Sequence, residues 1–257
     1  MLPEKGDLTL IQINLRLVEL RHSGAMLPSA AGMTEGAKQG PPMFSLRLAL
    51  VLAALAAAWL APRPGLAGTP RLFGTSEVQH ENVERVFAQW RNMLARMRAT
   101  PEPFEDACEA RPPGPCHLKA WNAFLHRLED KPPVVQLREV NDFLNSFPYI
   151  EDIVNWGVSE YWETPLEFLH KSGDCEDYVI AKYMSLRFLG WPVESLRIVV
   201  LDDLNLRIAH AVLAVYQGED ILILDNQIRS LVYARSIRHY RPVYSLNEHH
   251  WWSHRGG

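Results

Sequence analysis

Cys175 stands in SGDCEDY, residues 172–178, with Asp174 before it and Glu176 and Asp177 after it. A thiolate beside carboxylates carries a like-charge cost, so these neighbours oppose the ionisation that makes a cysteine nucleophilic. The apolar pattern from Val179 to Leu186, closed by Gly190, predicts a helix with Cys175 in its first turn. The unsatisfied N–H groups of that turn favour a thiolate. His210 opens an apolar run, HAVLAVYQG (210–218), and Asp225 closes the next, DILILDNQ (220–227). If the two runs pair as a hairpin, the start of one lies beside the end of the other. Set against the start of the cysteine helix, His210 and Asp225 complete a nucleophile, base and orienting acid. Each residue alone has a plainer reading: a small buried thiol, a hydrogen-bonded edge histidine, a turn aspartate.

Those residues need a frame. Val83, Val86, Phe87, Trp90, Met93, Leu94 and Met97 recur at helical spacing and predict a helix over 77–98. A second is expected over 117–128, broken by Pro132 and Pro133, and a third over 136–146. Thr164-Pro165 reads as a cap followed by a first helical position, with Gly173 stopping that short helix. Three β-branched or Leu-rich runs, 195–203, 210–218 and 220–227, read as strands parted by Asn205, Gly218 and Asp220. Helices first and antiparallel strands after give an α+β layout in a single domain, 68–245. NEHHWWSHRGG has no periodicity, so 246–257 is expected to be a flexible tail.

With 47% hydrophobic and 22% charged residues, the 257-residue chain can bury one sizeable core. The net charge of −4 and the lack of a dense Lys/Arg stripe give no reason to expect a nucleic-acid partner. Residues 43–67 combine Arg47, an Ala/Leu-rich run and the small residues Gly65 and Ala67, the pattern of a secretory signal peptide cleaved after Ala67. The apolar run 48–61 falls short of the roughly 20 residues a spanning helix needs, which favours export over a membrane anchor. Residues 1–42 include a Gly/Ala/Pro-rich stretch of disordered character; they are either a longer leader or lie upstream of a true start at Met43. Cys108 and Cys116, in CEARPPGPC, suit a local disulfide in an oxidising compartment and leave Cys175 unpaired. Metal binding by Cys108, Cys116 and His117 would lack a fourth ligand.

GDCEDYVIAKYMSLRFLG, followed by IAHAVLAV and LILDNQ, resembles the bacterial transglutaminase-like cysteine peptidases, and within them the periplasmic LapG type. NDFLNSFPYIEDIVNWGVSEYWETPLEFL resembles that family's segment before the cysteine, and the likeness runs over about 77–245. The resemblance implies a papain/transglutaminase-like α+β fold with N-terminal helices packed on an antiparallel sheet. It implies Cys175 as nucleophile, His210 as general base and acid, and Asp225 as the residue orienting the imidazole. It also implies dependence on Ca²⁺, with Asp174, Glu176 and Asp177 as ligands. Carboxylates are hard oxygen donors suited to that ion, and a bound dication reverses the field at the thiolate. Three acids do not fill a six- to eight-oxygen shell; backbone carbonyls, water or further side chains such as Asp202 and Asp203 would finish it. The backbone N–H of Cys175 is the natural first oxyanion donor, with a side chain near Asn155-Trp156 as a candidate second.

In biological terms the resemblance implies a periplasmic endopeptidase that cuts a large surface adhesin near its N-terminus, releasing it and dispersing biofilm. An inner-membrane receptor for cyclic di-GMP would restrain it, and the aromatic stretch from Trp156 to Trp162 is a candidate surface for that receptor. A Cys-His-Asp set does not itself choose water over an amine, so a transglutaminase-like amidase or acyltransferase stays open. So does a non-enzymatic calcium-binding periplasmic protein, although such a protein has no use for all three residues.

Overall fold

A computed structural model describes residues 71–99 and 117–256. The signal peptide, the leader and the Cys108–Cys116 pair expected from the sequence lie outside the described residues. Among the described residues no helix is long and apolar enough to cross a membrane.

In chain order the elements are β1 (Ser76–His80), α1 (Val83–Val86), α2 (Ala88–Ala99), α3 (His117–Leu128), α4 (Pro133–Leu144), α5 (Asp152–Asn155), α6 (Pro165–Lys171) and α7 (Cys175–Phe188). Six strands follow: β2 (Leu196–Asp203), β3 (Ile208–Gln217), β4 (Asp220–Leu224), β5 (Val232–Tyr233), β6 (Tyr240–Leu246) and β7 (Trp251–Arg255). They join β1 in one seven-stranded sheet of order β1-β7-β6-β2-β3-β4-β5. Every pairing is antiparallel, and β3 and β4 form the expected hairpin. The α+β layout is therefore the one the sequence implies.

The central strands read as nearly continuous apolar runs because both faces of the sheet are covered. Ile198, Ala211, Leu213 and Val215 pack into the core beneath the helices. Their alternates Val199, Leu201, Val212 and Ala214 pack against Leu72, Phe73, Ile237 and Tyr240 on the other side. Helix α7 lies in the middle of the first core, and every residue from Glu176 to Leu186 is buried. A helix enclosed on all sides has no polar face to display, so its sequence shows little amphipathic contrast.

Two expectations are corrected. Residues 77–98 are not one helix: 76–80 form β1, Asn82 turns the chain at φ 62°, and only then do α1 and α2 follow. Nor is 246–257 a flexible tail, because Trp251–Arg255 pairs with β1 on one side and β6 on the other. Both errors have one cause. β1 and β7 are made by contacts between opposite ends of the domain, which local periodicity does not record. Arg197 of β2 holds Glu77 and stacks 3.7 Å over the Trp252 ring. The His254 ring lies between the hydroxyls of Thr75 at 3.1 Å and Ser245 at 2.9 Å. A smaller shift concerns α4, which starts at Pro133 rather than 136; proline fits a first helical position because the N–H it lacks has no partner there.

Candidate active site

The loop before α7 is built by two caps. At α6, Thr164 Oγ1 accepts the Glu167 N–H at 3.2 Å while Glu167 returns a bond to the Thr164 N–H at 2.7 Å, a complete capping box. At α7, Asp177 accepts the N–H of Asp174 at 3.1 Å with one oxygen and that of Glu163 at 2.7 Å with the other. This buried carboxylate thus fastens the segment before α6 to the first turn of the cysteine helix. Gly173 makes room for it: a Cβ there would lie 2.7 Å from the Asp177 Cβ. Gly173→Ala is therefore expected to destabilise the protein by about 2–3 kcal/mol. A chemical denaturation midpoint checks this, since the clash forces a fully enclosed side chain to move.

Cys175 is the first residue of α7, with Asp174 as N-cap. Its half-buried thiol donates to Glu176 Oε2 at 3.1 Å. Burial and the charges of Glu176 and Asp174 push the thiol pKa up, while the Ala211 N–H directed at the sulfur opposes them. Ala211 lies beyond the last rung of the β3–β4 ladder, which closes at Leu213–Leu224, and pairs with Val200 of β2 on its other side. The contact with the sulfur puts Cys175 beside the residue that follows His210.

His210 and Asp225 meet directly, with Nε2 and Oδ1 3.0 Å apart and both side chains essentially inaccessible. Asp225 also accepts the Tyr240 hydroxyl at 2.6 Å and the Gln227 N–H at 2.8 Å. Burial pushes its pKa up, but the bonds from His210, Tyr240 and Gln227 outweigh it and hold the carboxyl below its ordinary value. As Asp225 is ionised and accepts only, Nε2 carries the proton and Nδ1 is the basic nitrogen. The Gln227 amide lies 3.5 Å from Nδ1. Helix α4 fixes this loop from outside: Asn145 donates to the Asp225 carbonyl at 2.7 Å and Asn141 to that of Arg229 at 2.9 Å. Tyr240, Gln227, Asn141 and Asn145 were not legible as site residues, since none belongs to a motif around Cys175 or His210.

Beside the thiol lies a cluster of carboxylates larger than the three read from the sequence. Oxygens of Asp152, Asp174 and Asp177 lie within 4.8 Å of one another, as do the ligand atoms of Asp174, Cys175 and Glu176. Asp152 accepts the Tyr161 N–H with one oxygen, and Glu163 accepts the Trp156 indole N–H at 2.6 Å. One oxygen on each of Asp152, Glu163 and Asp174 is buried without a hydrogen-bond donor. Burial, followed by the charge of Asp174, raises the Asp152 pKa to about 6. Burial and neighbouring carboxylates raise Asp174 and Glu163 to about 8. Buried acceptors with no donor call for a cation, and an all-oxygen set of this kind suits a hard divalent one. Asp174, Glu176 and Asp177 are joined here by Asp152, which sequence reading missed because it comes from a segment over twenty positions upstream. Asp202 and Asp203 are committed elsewhere, Asp202 to Arg241 and Asp203 to the N–H groups of Asn205 and Leu206.

The Asn155-Trp156 side chains are likewise spoken for. Asn155 donates to the Ser172 carbonyl at 2.6 Å and the Trp156 indole to Glu163, so neither is poised as a second oxyanion donor. Trp162 is buried, and Trp156 is sandwiched by Tyr161 at 4.2 Å and the Lys171 ammonium at 3.6 Å. Val158 is the exposed apolar side chain within this stretch, and Ile153 and Val154 are exposed just before it.

A model of the bacterial transglutaminase-like cysteine proteinases matches residues 95–254. The chain belongs to this family. The match runs into β7, in keeping with a last strand that is part of the domain. Solved structures of LapG from Legionella pneumophila are similar: one is 32% identical with a TM-score of 0.50, covering 63% of this chain and 86% of that one. A calcium-bound form is 31% identical with a TM-score of 0.50 over the same shares. An EGTA-treated form is 31% identical with a TM-score of 0.51, covering 65% and 86%. No functionally curated protein matches the chain.

Proposed function

We propose that this cysteine proteinase is a calcium-dependent periplasmic endopeptidase in which Cys175, His210 and Asp225 carry the reaction. The observation that supports the reading is the buried His210–Asp225 pair, whose histidine precedes the residue, Ala211, that directs its N–H at the Cys175 thiol. Nδ1 of His210 takes the thiol proton, and the sulfur adds to the peptide carbonyl carbon. The tetrahedral intermediate collapses as the imidazolium protonates the leaving amine, which leaves a thioester on Cys175. Water, deprotonated by His210, then hydrolyses the thioester to a carboxylate and restores the thiol. Asp225 stays ionised throughout and holds the ring with Nε2–H toward itself. The Cys175 N–H, in the first turn of α7, is the oxyanion donor this chain supplies.

Asp174 and Asp152, with Glu176 and Asp177 beside them, are the residues that would hold Ca²⁺. A bound dication supplies positive charge next to the sulfur and neutralises the carboxylates that otherwise raise its pKa. The calcium-bound relative supports this choice of ion.

The substrate we infer is the N-terminal region of a large surface adhesin, cut at an alanine pair to release it and disperse biofilm. An inner-membrane cyclic di-GMP receptor acts as inhibitor. These rest on likeness to the LapG type, and the signal-like segment 43–67 supports a periplasmic address. The test is incubation of the chain with an adhesin N-terminal fragment in Ca²⁺, in chelator, and as Cys175→Ala, with a primary amine added in a parallel reaction. Two free termini formed only with calcium and thiol support the reading. Incorporation of the amine in place of hydrolysis would make the protein an acyltransferase.

A further inference from the structure

On the face of the sheet turned away from the helices, a cleft of about 290 Å³ opens where the 3₁₀ turn Leu72–Gly74 meets the start of β6. Four arginines line it, Arg71, Arg235, Arg238 and Arg241, and among the described residues no carboxylate does. Phe73 and Tyr240 form its apolar wall, their rings edge to face with centroids 5.6 Å apart. Like charges gathered in one hollow repel one another, and they stand out in a chain whose net charge is −4.

Two of the four guanidinium groups are neutralised from outside. Arg241 holds Asp202 at 2.8 Å and Arg235 holds Asp220, and neither aspartate lines the cleft. Arg71 and Arg238 make no ion pair with any described residue. Arg71 is nonetheless held in place, because its Nε donates to the Thr75 carbonyl at 3.3 Å and leaves the two terminal nitrogens for another acceptor. The backbone is strained at the same spot. Phe73, a bulky aromatic, stands at φ 49° in the left-handed region, and Gly74 follows at φ 80°. Strain of this kind gathers where a ligand is clamped, and here it carries the Phe73 ring onto Tyr240.

We propose that this cleft is a binding site for a phosphate group, carried by a small organic phosphate or by a lipid headgroup. A guanidinium is planar, permanently charged and presents paired donors that match phosphate oxygens. The two cations without a carboxylate suit the charge of up to −2 that a phosphate monoester carries near neutral pH. A single carboxylate would meet only one of them. Phe73 and Tyr240 give the carbon body of the ligand an apolar surface to lie against. The inference does not depend on the peptidase reading. Tyr240 nevertheless touches both places, since its ring lines the cleft while its hydroxyl bonds Asp225 at 2.6 Å.

The test is calorimetric titration of glycerol 3-phosphate into the full-length protein at constant ionic strength, with acetate as the carboxylate control, beside cosedimentation with phosphatidylglycerol vesicles. Glycerol 3-phosphate is expected to bind saturably and acetate not to. Arg238→Gln removes one charge-assisted donor and is expected to weaken phosphate binding by about tenfold or more, and Arg71→Gln by as much. Both residues are exposed, so Tm is expected to stay unchanged in each variant. Sedimentation that falls in Arg238→Gln assigns the phosphate to a lipid headgroup. Binding of glycerol 3-phosphate without sedimentation assigns it to a soluble molecule. Acetate binding as tightly as glycerol 3-phosphate would overturn the proposal. So would binding untouched by both substitutions, or no response to either source of phosphate.

Discussion

Cys175→Ala and His210→Ala are each expected to lower kcat for peptide cleavage by roughly 10⁵-fold or more, and the double variant is expected to be no worse than either single one. On the proposed mechanism nucleophile and base act as a unit: without the base the thiol is not ionised at the moment of attack, and without the thiol the base has nothing to activate. This dependence is unusually strong here, because burial and the charges of Glu176 and Asp174 hold the thiol protonated. Asp225→Asn is expected to cost less, about 10²- to 10⁴-fold. An amide keeps the shape but can donate toward Nε2, which presents the wrong tautomer to Cys175. Tyr240 and the Gln227 N–H would still hold the side chain in place. Steady-state kinetics on an adhesin fragment with all four variants checks the pattern. Multiplicative losses in the double variant would show that Cys175 and His210 act separately.

Removing calcium is expected to have the second-largest effect, and its size should depend on pH. Asp152, with a folded pKa of about 6, and Asp174 and Glu163, with about 8, bind protons more tightly in the folded chain than when unfolded. A raised folded pKa contributes stability that is fully present below the unfolded pKa, near 4, and is lost as pH rises through the folded value. The chelated protein is therefore most stable near pH 4–5 and weakens progressively toward pH 8. Calcium at a hundredfold excess over its dissociation constant adds about 2.7 kcal/mol, or roughly 5–10 °C in Tm for a domain of this size. The gain should be largest at pH 8, where the carboxylates are ionised, and should shrink near pH 5, where protons compete with the ion. Differential scanning calorimetry at both pH values, with calcium or chelator, reads it directly. A calcium effect equal at the two pH values would mean that the ion binds away from these groups.

The Cys175 helix and the β3–β4 hairpin were legible because both are local. Gly190, Gly218 and the apolar runs mark their ends, and the antiparallel pairing follows from a short connection. That His210 and Asp225 meet at 3.0 Å follows from this hairpin. The acidic cluster was legible only in part. Asp174, Glu176 and Asp177 fall within one short stretch, whereas Asp152 reaches the same place through the path of the chain between α4 and α6. Asp177 also proved to be a clamp on two backbone N–H groups, a role that residue type does not reveal. β1 and β7 were misread because their pairing joins the two ends of the domain, which local periodicity does not record.

The central claim, that Cys175 is a thiol activated by His210 and released from its acidic neighbours by calcium, is tested most directly by the rate of iodoacetamide alkylation at Cys175. Peptide mass spectrometry separates its label from any on Cys108 or Cys116, and no substrate is needed. The account predicts rapid labelling at pH 7 in calcium, and a fall of at least about tenfold on chelation or in His210→Ala. Labelling of Cys175 that is equally slow in all three conditions would contradict it.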